Sequence, residues 1–325
     1  MTRGLIVGKF YPPHRGHKHL IDSATAQVDE LHVIICKKPN EDPSGELREA
    51  WLREIHPTVR VMLIDDRYDE NDSRVWAENC KRWLGFVPDT VFTSEDYGEP
   101  FAKFLGCRHV QVDKARNAVP ISGTRVRNDP LACWNFLEAP VRAHYAKRVV
   151  LVGAESTGKT TLATKLAQHL NTIWVPEYGR EFSELMLESE GAYNFRSEHF
   201  EHIARIQCER ENEAARRCNK ILICDTDAFA TSIWHRRYMN AASPAVETIV
   251  AAHAKPALYL LTDVTTPFVQ DGMRDGESIR GWMHQEFARC LKGRPCPTVF
   301  LCGSFAQREA QAVAAVNELL DCPSS

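Results

Sequence analysis

Short apolar runs alternate along the whole chain with longer amphipathic stretches, and the two patterns rarely mix. Residues 4–8 (GLIVG), 31–36 (LHVIIC), 59–64 (VRVMLI), 90–93 (TVFT) and 108–112 (RHVQV) have strand length and near-continuous apolar or β-branched character. Between them, 17–28, 43–56 and 75–84 carry helical spacing. In the second, Leu47, Trp51, Leu52 and Ile55 share one face, and Pro43 suits the first turn. A second series has strands at 148–152 (RVVLV), 172–175 (TIWV), 221–224 (ILIC), 258–261 (LYLL) and 298–301 (TVFL). Its helices begin at Lys159, run in long segments to Cys218, resume after Phe229 and finish over about 305–320. Strands apolar on both faces and alternating with helices predict parallel sheets covered on both sides.

The series meet near 140–147, between the helix-like WNFLEA and the strand at Arg148, with no flexible linker. The expected organisation is two α/β domains, 1–145 and 146–325, and 325 residues suffice for two cores. A formal net charge of −3 argues against a basic nucleic-acid surface or an acidic tail. Eleven cysteines, an odd number without a Cys-x-x-Cys pair, include Cys36 and Cys224 inside apolar runs. Inert core thiols in a reducing compartment are expected for all of them, not a disulfide framework. No apolar stretch is long enough for a bilayer span, and MTRGLIVGKF is no signal peptide. The expectation is a cytoplasmic protein without membrane insertion.

Gly8-Lys9-Phe10-Tyr11-Pro12-Pro13-His14-Arg15-Gly16-His17 follows the first strand and opens a helix. Gly8 and Gly16 permit close backbone approach, and helix-start amides with two histidines offer donors to a phosphate. The string matches the Gly-x-Phe-x-Pro-x-His-x-Gly-His signature of the nucleotidyltransferase superfamily, and Ile121-Ser122-Gly123-Thr124-Arg125-Val126-Arg127 resembles its second signature. That resemblance implies a Rossmann-like domain with a parallel sheet. It implies His14 and His17 on the ATP phosphates, with His17 stabilising the pentavalent transition state. It also implies Ser122, Thr124 and Arg127 on the β- and γ-phosphates, Lys9 near the α-phosphate, and Mg²⁺ bridging phosphate oxygens.

Gly153-Ala154-Glu155-Ser156-Thr157-Gly158-Lys159-Thr160, followed by Thr161, fits Gly-x-x-x-x-Gly-Lys-Ser/Thr between a strand and a helix. Such a P-loop cradles the β-phosphate with its amides, spans the β- and γ-phosphates with Lys159 and ligates Mg²⁺ through Thr160. ILIC ends in Asp225-Thr226-Asp227. Asp225 is the first candidate for metal binding, and Asp227 also fits a helix N-cap. Glu177, after TIWV, is a candidate general base; the choice among Glu177, Asp225 and Asp227 stays open. Tyr178, Arg180 and Asp227 are substrate candidates, and Trp76 offers either an aromatic platform or core packing. Residues 267–280 suit a lid whose Arg274 and Arg280 reach the transferred phosphoryl group.

The pairing of these loops, with VPEYGREF, CDTD and TDVTTPFVQDGMRD, resembles the NadR family across nearly the whole chain. The resemblance implies ATP as cosubstrate, phosphorylation of ribosylnicotinamide by the second domain, and adenylylation of nicotinamide mononucleotide to NAD by the first. Gly123 and Gly179 depart from the usual Ser and Ala. Some members carry an N-terminal helix-turn-helix domain; with the first strand at Gly4, no nucleic-acid partner is expected. Homo-oligomer formation stays open. The alternatives are the same two chemistries on another vitamin-derived substrate, or a nucleotide-sensing regulator, against which both complete loops argue.

Overall fold

The structure is a computed structural model and describes residues 1–69, 71–270 and 277–321. It separates into two compact units, Met1–Arg142 and Ala143–Ser325.

The first unit contains β1 (Arg3–Gly8), α1 (Arg15–Thr25), β2 (Glu30–Lys37), α2 (Gly45–Ile55), β3 (Arg60–Asp65) and α3 (Ser73–Leu84). It continues with β4 (Thr90–Thr93), α4 (Gly98–Leu105), β5 (Arg108–Gln111) and α5 (Gly123–Asn128), and α6 (Ala139–Tyr145) follows. The sheet order is β3-β2-β1-β4-β5, all parallel. Successive residues feed opposite cores: Ile6 and Val33 pack with Leu20 and Ile21, whereas Leu5 and Ile34 pack with Trp76 and Phe101. Burial on both faces explains the near-continuous apolar strands. Strand order reverses between β1 and β4, which opens a crevice at the carboxyl ends of those strands. The histidine-bearing loop leaves β1 at that end.

The second unit contains β6 (Lys147–Val152), α7 (Lys159–His169), β7 (Trp174–Val175), α8 (Tyr178–Glu190), α9 (Ser197–Ala215) and β8 (Ile221–Asp225). Then come α10 (Ala228–Met239), α11 (Pro244–Ala252), β9 (Leu258–Thr262), α12 (Arg280–Leu291), β10 (Thr298–Leu301) and α13 (Phe305–Asp321). The order β10-β9-β6-β8-β7 is again parallel throughout. Val149, Leu151, Ile223 and Leu260 from the sheet meet Leu162 and Leu166 of α7, which fixes the helix whose first residue is Lys159.

Several expectations need correction. Helix α1 starts at Arg15, two residues before His17, because His14 caps it. Pro43 lies outside α2; Ser44 caps that helix, its Oγ accepting from the Leu47 amide at 3.2 Å. Only Trp174 and Val175 of TIWV pair as strand. Thr172 spends its hydroxyl on the Ile221 carbonyl at 2.6 Å. Helices α4, α11 and α12 had no counterpart in the pattern reading. Not every thiol is a core thiol: of the ten described cysteines, all free, Cys107, Cys290 and Cys296 are half-buried and Cys302 is exposed. Among the described residues, no helix is long and apolar enough to cross a membrane.

Candidate active sites

In the first unit the loop after β1 is held from inside. Phe10 adopts φ 47° and buries its ring, 4.9 Å from that of His17. His14 caps α1 through its side chain: Nδ1 accepts from the His17 amide at 3.3 Å. The His14 and His17 rings stack with centroids 3.8 Å apart and planes 17° apart. A Cβ on Gly16 would lie 3.0 Å from the His14 ring, so this glycine makes room for the pair.

Burial lowers the His14 pKa to about 4, with the nearby Arg116 charge adding to the effect. Burial, then His14, then Arg116 push His17 well below the usual histidine range. Both rings are therefore neutral at neutral pH, each with one donor and one acceptor nitrogen. His17 Nδ1 is buried without a hydrogen-bond partner among the described residues.

Ser122 caps α5, its Oγ accepting from the Arg125 amide at 3.3 Å. Arg127 donates to the Tyr11 carbonyl at 2.6 Å and to the Thr124 hydroxyl at 3.1 Å, with its guanidinium 4.9 Å from the Tyr11 ring. This contact joins the two signatures. A Cβ at Gly123 would sit 2.8 Å from the Tyr11 carbonyl oxygen, which accounts for glycine where the wider signature uses serine. Gly8 lies against the Phe10 ring, and the Lys9 carbonyl accepts from Arg48. Trp76 is only 9% exposed, donates its indole N–H to the Asp69 carbonyl at 3.0 Å, and packs edge-on against Tyr68 and Trp83. The pattern reading missed Tyr11, Arg48 and Arg116. Arg48 left a trace, as an arginine on the side of α2 that also buries Trp51 and Leu52.

In the second unit the loop after β6 is a P-loop in geometry as well as spelling. Gly153 has φ 142°, and a Cβ there would lie 2.4 Å from Thr262 Oγ1. Only glycine meets both conditions. Thr157 shares a hydrogen bond with Thr262 at 2.7 Å, and its carbonyl accepts from Arg308 at 2.7 Å. Lys159 Nζ donates to the Ala154 carbonyl at 2.8 Å. The Thr160 hydroxyl donates to Asp225 Oδ2 at 2.5 Å.

A cavity of about 320 Å³ is lined by Glu155, Ser156, Gly158, Lys159, Thr160 and Thr161 from this loop. Glu177, Gly179 and Arg180 face the same space, as does an aromatic group of Tyr193, Phe195, Phe200, Trp234 and Tyr238. Within that group the Phe195 and Tyr238 rings are 4.6 Å apart. Burial raises the Glu177 pKa to about 7, opposed by Lys159 and reinforced by Asp225 and Glu155. Burial also raises Asp225, against the pull of Lys159 and the Thr160 hydrogen bond. Asp225 Oδ1 is buried with no hydrogen-bond partner among the described residues. A hydroxyl beside a carboxylate with a spare oxygen is a hard donor set that fits a divalent cation shared with a nucleotide. No group of three or more His, Cys, Asp or Glu among the described residues forms a metal cage of its own.

Other candidates fall elsewhere. Asp227 Oδ1 accepts from the Ala230 amide at 2.9 Å and Oδ2 from the Tyr259 hydroxyl at 2.7 Å, and Asp227 does not line the cavity. Tyr178 packs against Phe182, His202 and Arg210 and is likewise absent from the lining. Arg280 is buried and donates to the carbonyls of Ser156 and Thr266, so it props the loop from behind. Arg274 lies outside the described residues. The aromatic lining and Arg308 were missed. Arg308 could have been found, because it interrupts the apolar stripe of Phe305, Ala312 and Val316 on α13.

Fold and sites together define a class: a nucleotidyltransferase-type α/β unit and a P-loop α/β unit in one chain. Residues 5–129 match the cytidylyltransferase-like family model and residues 148–308 the AAA domain model. Over 301 residues the chain is 30% identical to the trifunctional NAD biosynthesis/regulator protein NadR of Escherichia coli, covering 86% of this chain and 73% of that protein. The chain belongs to the NadR family. Two solved structures share the fold. A NadR protein in complex with NR superposes with TM-score 0.83 at 22% identity, over 99% of this chain and 96% of that one. A NadR protein in complex with NAD and AMP-PNP superposes with TM-score 0.79 at 20% identity, over 100% and 98%.

Proposed function

We propose that this chain makes NAD in two ATP-dependent steps. The second unit phosphorylates ribosylnicotinamide, and the first unit joins the resulting nicotinamide mononucleotide to the adenylyl group of ATP. We assign the kinase to 146–325 and the adenylyltransferase to 1–145. The observation that carries this reading is the coexistence of two complete phosphate loops in one chain of the NadR family. The names of its relatives, which speak of NAD biosynthesis, NR and AMP-PNP, support the choice of substrates.

In the kinase step the substrate 5′-hydroxyl attacks the γ-phosphorus of ATP and ADP leaves. Loop amides and Lys159 hold the β- and γ-phosphates, and Arg180 adds a cation on the same wall. Glu177 takes the hydroxyl proton. Its raised pKa of about 7 suits a base that must bind and release a proton near neutrality. We assign the base to Glu177 and not to Asp227, because both Asp227 oxygens are engaged away from the cavity. Thr160 and Asp225 would hold Mg²⁺, which supplies charge neutralisation on the phosphate oxygens. The aromatic walls around Trp234 and Tyr238 give a planar pyridinium ring a stacking surface.

In the adenylyl step a phosphate oxygen of the mononucleotide attacks the α-phosphorus of ATP and pyrophosphate leaves. No covalent intermediate on the protein is needed, so positioning and charge stabilisation do the chemistry. Neutral His14 and His17 donate ring N–H groups to the phosphates, and Ser122, Thr124 and Arg127 receive the departing pyrophosphate, with Lys9 near the α-phosphate. Gly8 and Phe10 shape the loop around it. The partners assigned are these small molecules.

The test is chromatographic product analysis after incubating the purified chain with Mg-ATP and either ribosylnicotinamide or nicotinamide mononucleotide. NAD from both, with the mononucleotide as intermediate in the first, is the expected result. NAD from the mononucleotide alone would reassign the kinase substrate, and NAD from neither would overturn the reading.

A further inference from the structure

Behind the start of α8 lies a line of buried polar side chains that the phosphoryl-transfer scheme leaves unused. The first amides of a helix have no intrahelical acceptor and need one from elsewhere. Glu177 occupies the N-cap position of α8, yet its side chain makes no capping hydrogen bond. The first helical amide, that of Tyr178, donates to Gln207 Oε1 on α9, at 3.0 Å.

Gln207 is 2% exposed and borders the cavity. Its orientation is fixed from behind, because Nε2 donates to Glu211 Oε1 at 3.2 Å, one helical turn along α9. A flipped carboxamide would set oxygen against carboxylate and NH₂ against the Tyr178 N–H. Glu211 is itself 1% exposed, and its other oxygen meets His253 Nε2 at 2.9 Å. The line therefore runs His253, Glu211, Gln207, Tyr178 amide, and ends beside Glu177.

We propose that His253, Glu211 and Gln207 are positioning residues for phosphoryl transfer: they tie the first amide of α8 to α9, which fixes the helix start that carries the Glu177 carboxylate into the cavity it shares with Lys159. The inference rests on the reading of Glu177 as the group that takes the acceptor proton. Without Gln207, the Tyr178 amide loses its acceptor and the start of α8 is no longer tied to α9, so Glu177 at its N-cap shifts with it. The charged groups facing Glu177 are Lys159, Asp225, Glu155 and Arg180. None belongs to the line, so its removal changes placement and not local charge.

The test compares Gln207→Leu, Glu211→Leu and Glu211→Gln in the full chain, with kcat and KM measured for both reactions. Gln207→Leu should lower the kinase kcat by on the order of 10²-fold with KM for ATP within about threefold, and leave adenylyl transfer unchanged. Glu211→Leu should do the same, while Glu211→Gln, which keeps an acceptor for Gln207, should restore most of the rate. In a Glu177→Gln background, Gln207→Leu should cost little more, because both changes remove one function. Multiplicative losses in that double variant, or equal rates from the two Glu211 variants, would overturn the proposal. A crystal structure of Gln207→Leu gives a readout independent of substrate: Glu177 and the start of α8 displaced from α9 support the proposal, and Glu177 unmoved overturns it. Failure of the wild type to phosphorylate ribosylnicotinamide would count against the functional reading alone.

Discussion

Asp227 offers a sharp test of how burial and chemistry are divided in the kinase unit. Its carboxyl is buried, and burial followed by the Glu211 charge raises its pKa from 3.8 to about 6, against the pull of the Ala230 amide and Tyr259 hydroxyl. A folded pKa above the unfolded one means that the folded state holds the proton more tightly. The associated stability is fully present below about pH 4 and is lost as pH rises through about 6. The loss at neutral pH is the shift of roughly two units at 1.36 kcal/mol each, or about 3 kcal/mol. Asparagine resembles the protonated carboxyl. It keeps an acceptor for the Ala230 amide and a donor toward the Tyr259 oxygen, and it caps a helix as well as aspartate does. Asp227→Asn should therefore stabilise the unit by up to about 3 kcal/mol at pH 7.5, with the gain vanishing near pH 4. Calorimetry of the full chain at several pH values would show it in the transition that ATP analogues of the kinase reaction shift upward. Kinase turnover should stay within a few-fold of wild type. A folded variant that loses its kinase activity would return Asp227 to the list of bases. A variant less stable at pH 7.5 than wild type would show that the carboxylate charge is favourable where it lies.

The two chemistries should separate by mutation. Lys159→Ala is expected to abolish kinase activity and spare adenylyl transfer, and His17→Ala to do the reverse, each with losses on the order of 10²–10³ in rate; either change eliminating both activities in a folded chain would contradict independent sites. Gly153→Ala places a Cβ 2.4 Å from Thr262 Oγ1 at φ 142° and should abolish binding of a fluorescent ATP analogue to the kinase unit, with mononucleotide adenylylation as the control. The kinase rate should rise with pH through about 7, because Glu177 must lose its proton to act as base, and the limb should disappear in Glu177→Gln. Arg308→Met removes the donor to the Thr157 carbonyl and should raise the kinase KM for ATP about tenfold, at roughly 1.5 kcal/mol for a charged hydrogen bond, without touching the other activity.

Much of this is legible in the amino-acid sequence, for identifiable reasons. The strand positions came through because both sheets are parallel and buried on both faces, so each strand is a near-continuous apolar run. The two phosphate loops came through because glycine and backbone geometry leave few spellings. Gly153 and Gly123 sit where a Cβ would strike Thr262 and Tyr11. The losses have physical causes too. Helix α4 has eight residues and Pro100 in its first turn, too little periodicity to read. Glu177 and Asp227 look alike in the chain, and only the partners at Tyr259 and Ala230 separate them. The aromatic lining is gathered from the 193–200 segment and α10, and side chains from such separated elements leave no local pattern.

The two ATP sites solve the same problem with different charge. In the proposed kinase the P-loop unit would meet phosphate with full charges, Lys159 and Arg180, in the cavity that Glu155 and Glu177 also line, with Asp225 close enough to act on Glu177. The histidine loop stacks two rings, His14 buried and His17 half-buried, whose lowered pKa values leave both neutral at physiological pH. Neutral donors suit a site that must release pyrophosphate, since a fixed pair of cations would bind the highly charged product more tightly than the neutral rings do. Among the permanent charges there, with Lys9 and Arg116, is Arg127, whose guanidinium is already engaged by the Tyr11 carbonyl and the Thr124 hydroxyl. Replacing Tyr11 contacts with phosphate oxygens exchanges one set of hydrogen bonds for another, which moderates its grip on the leaving group in the same direction as the neutral histidines.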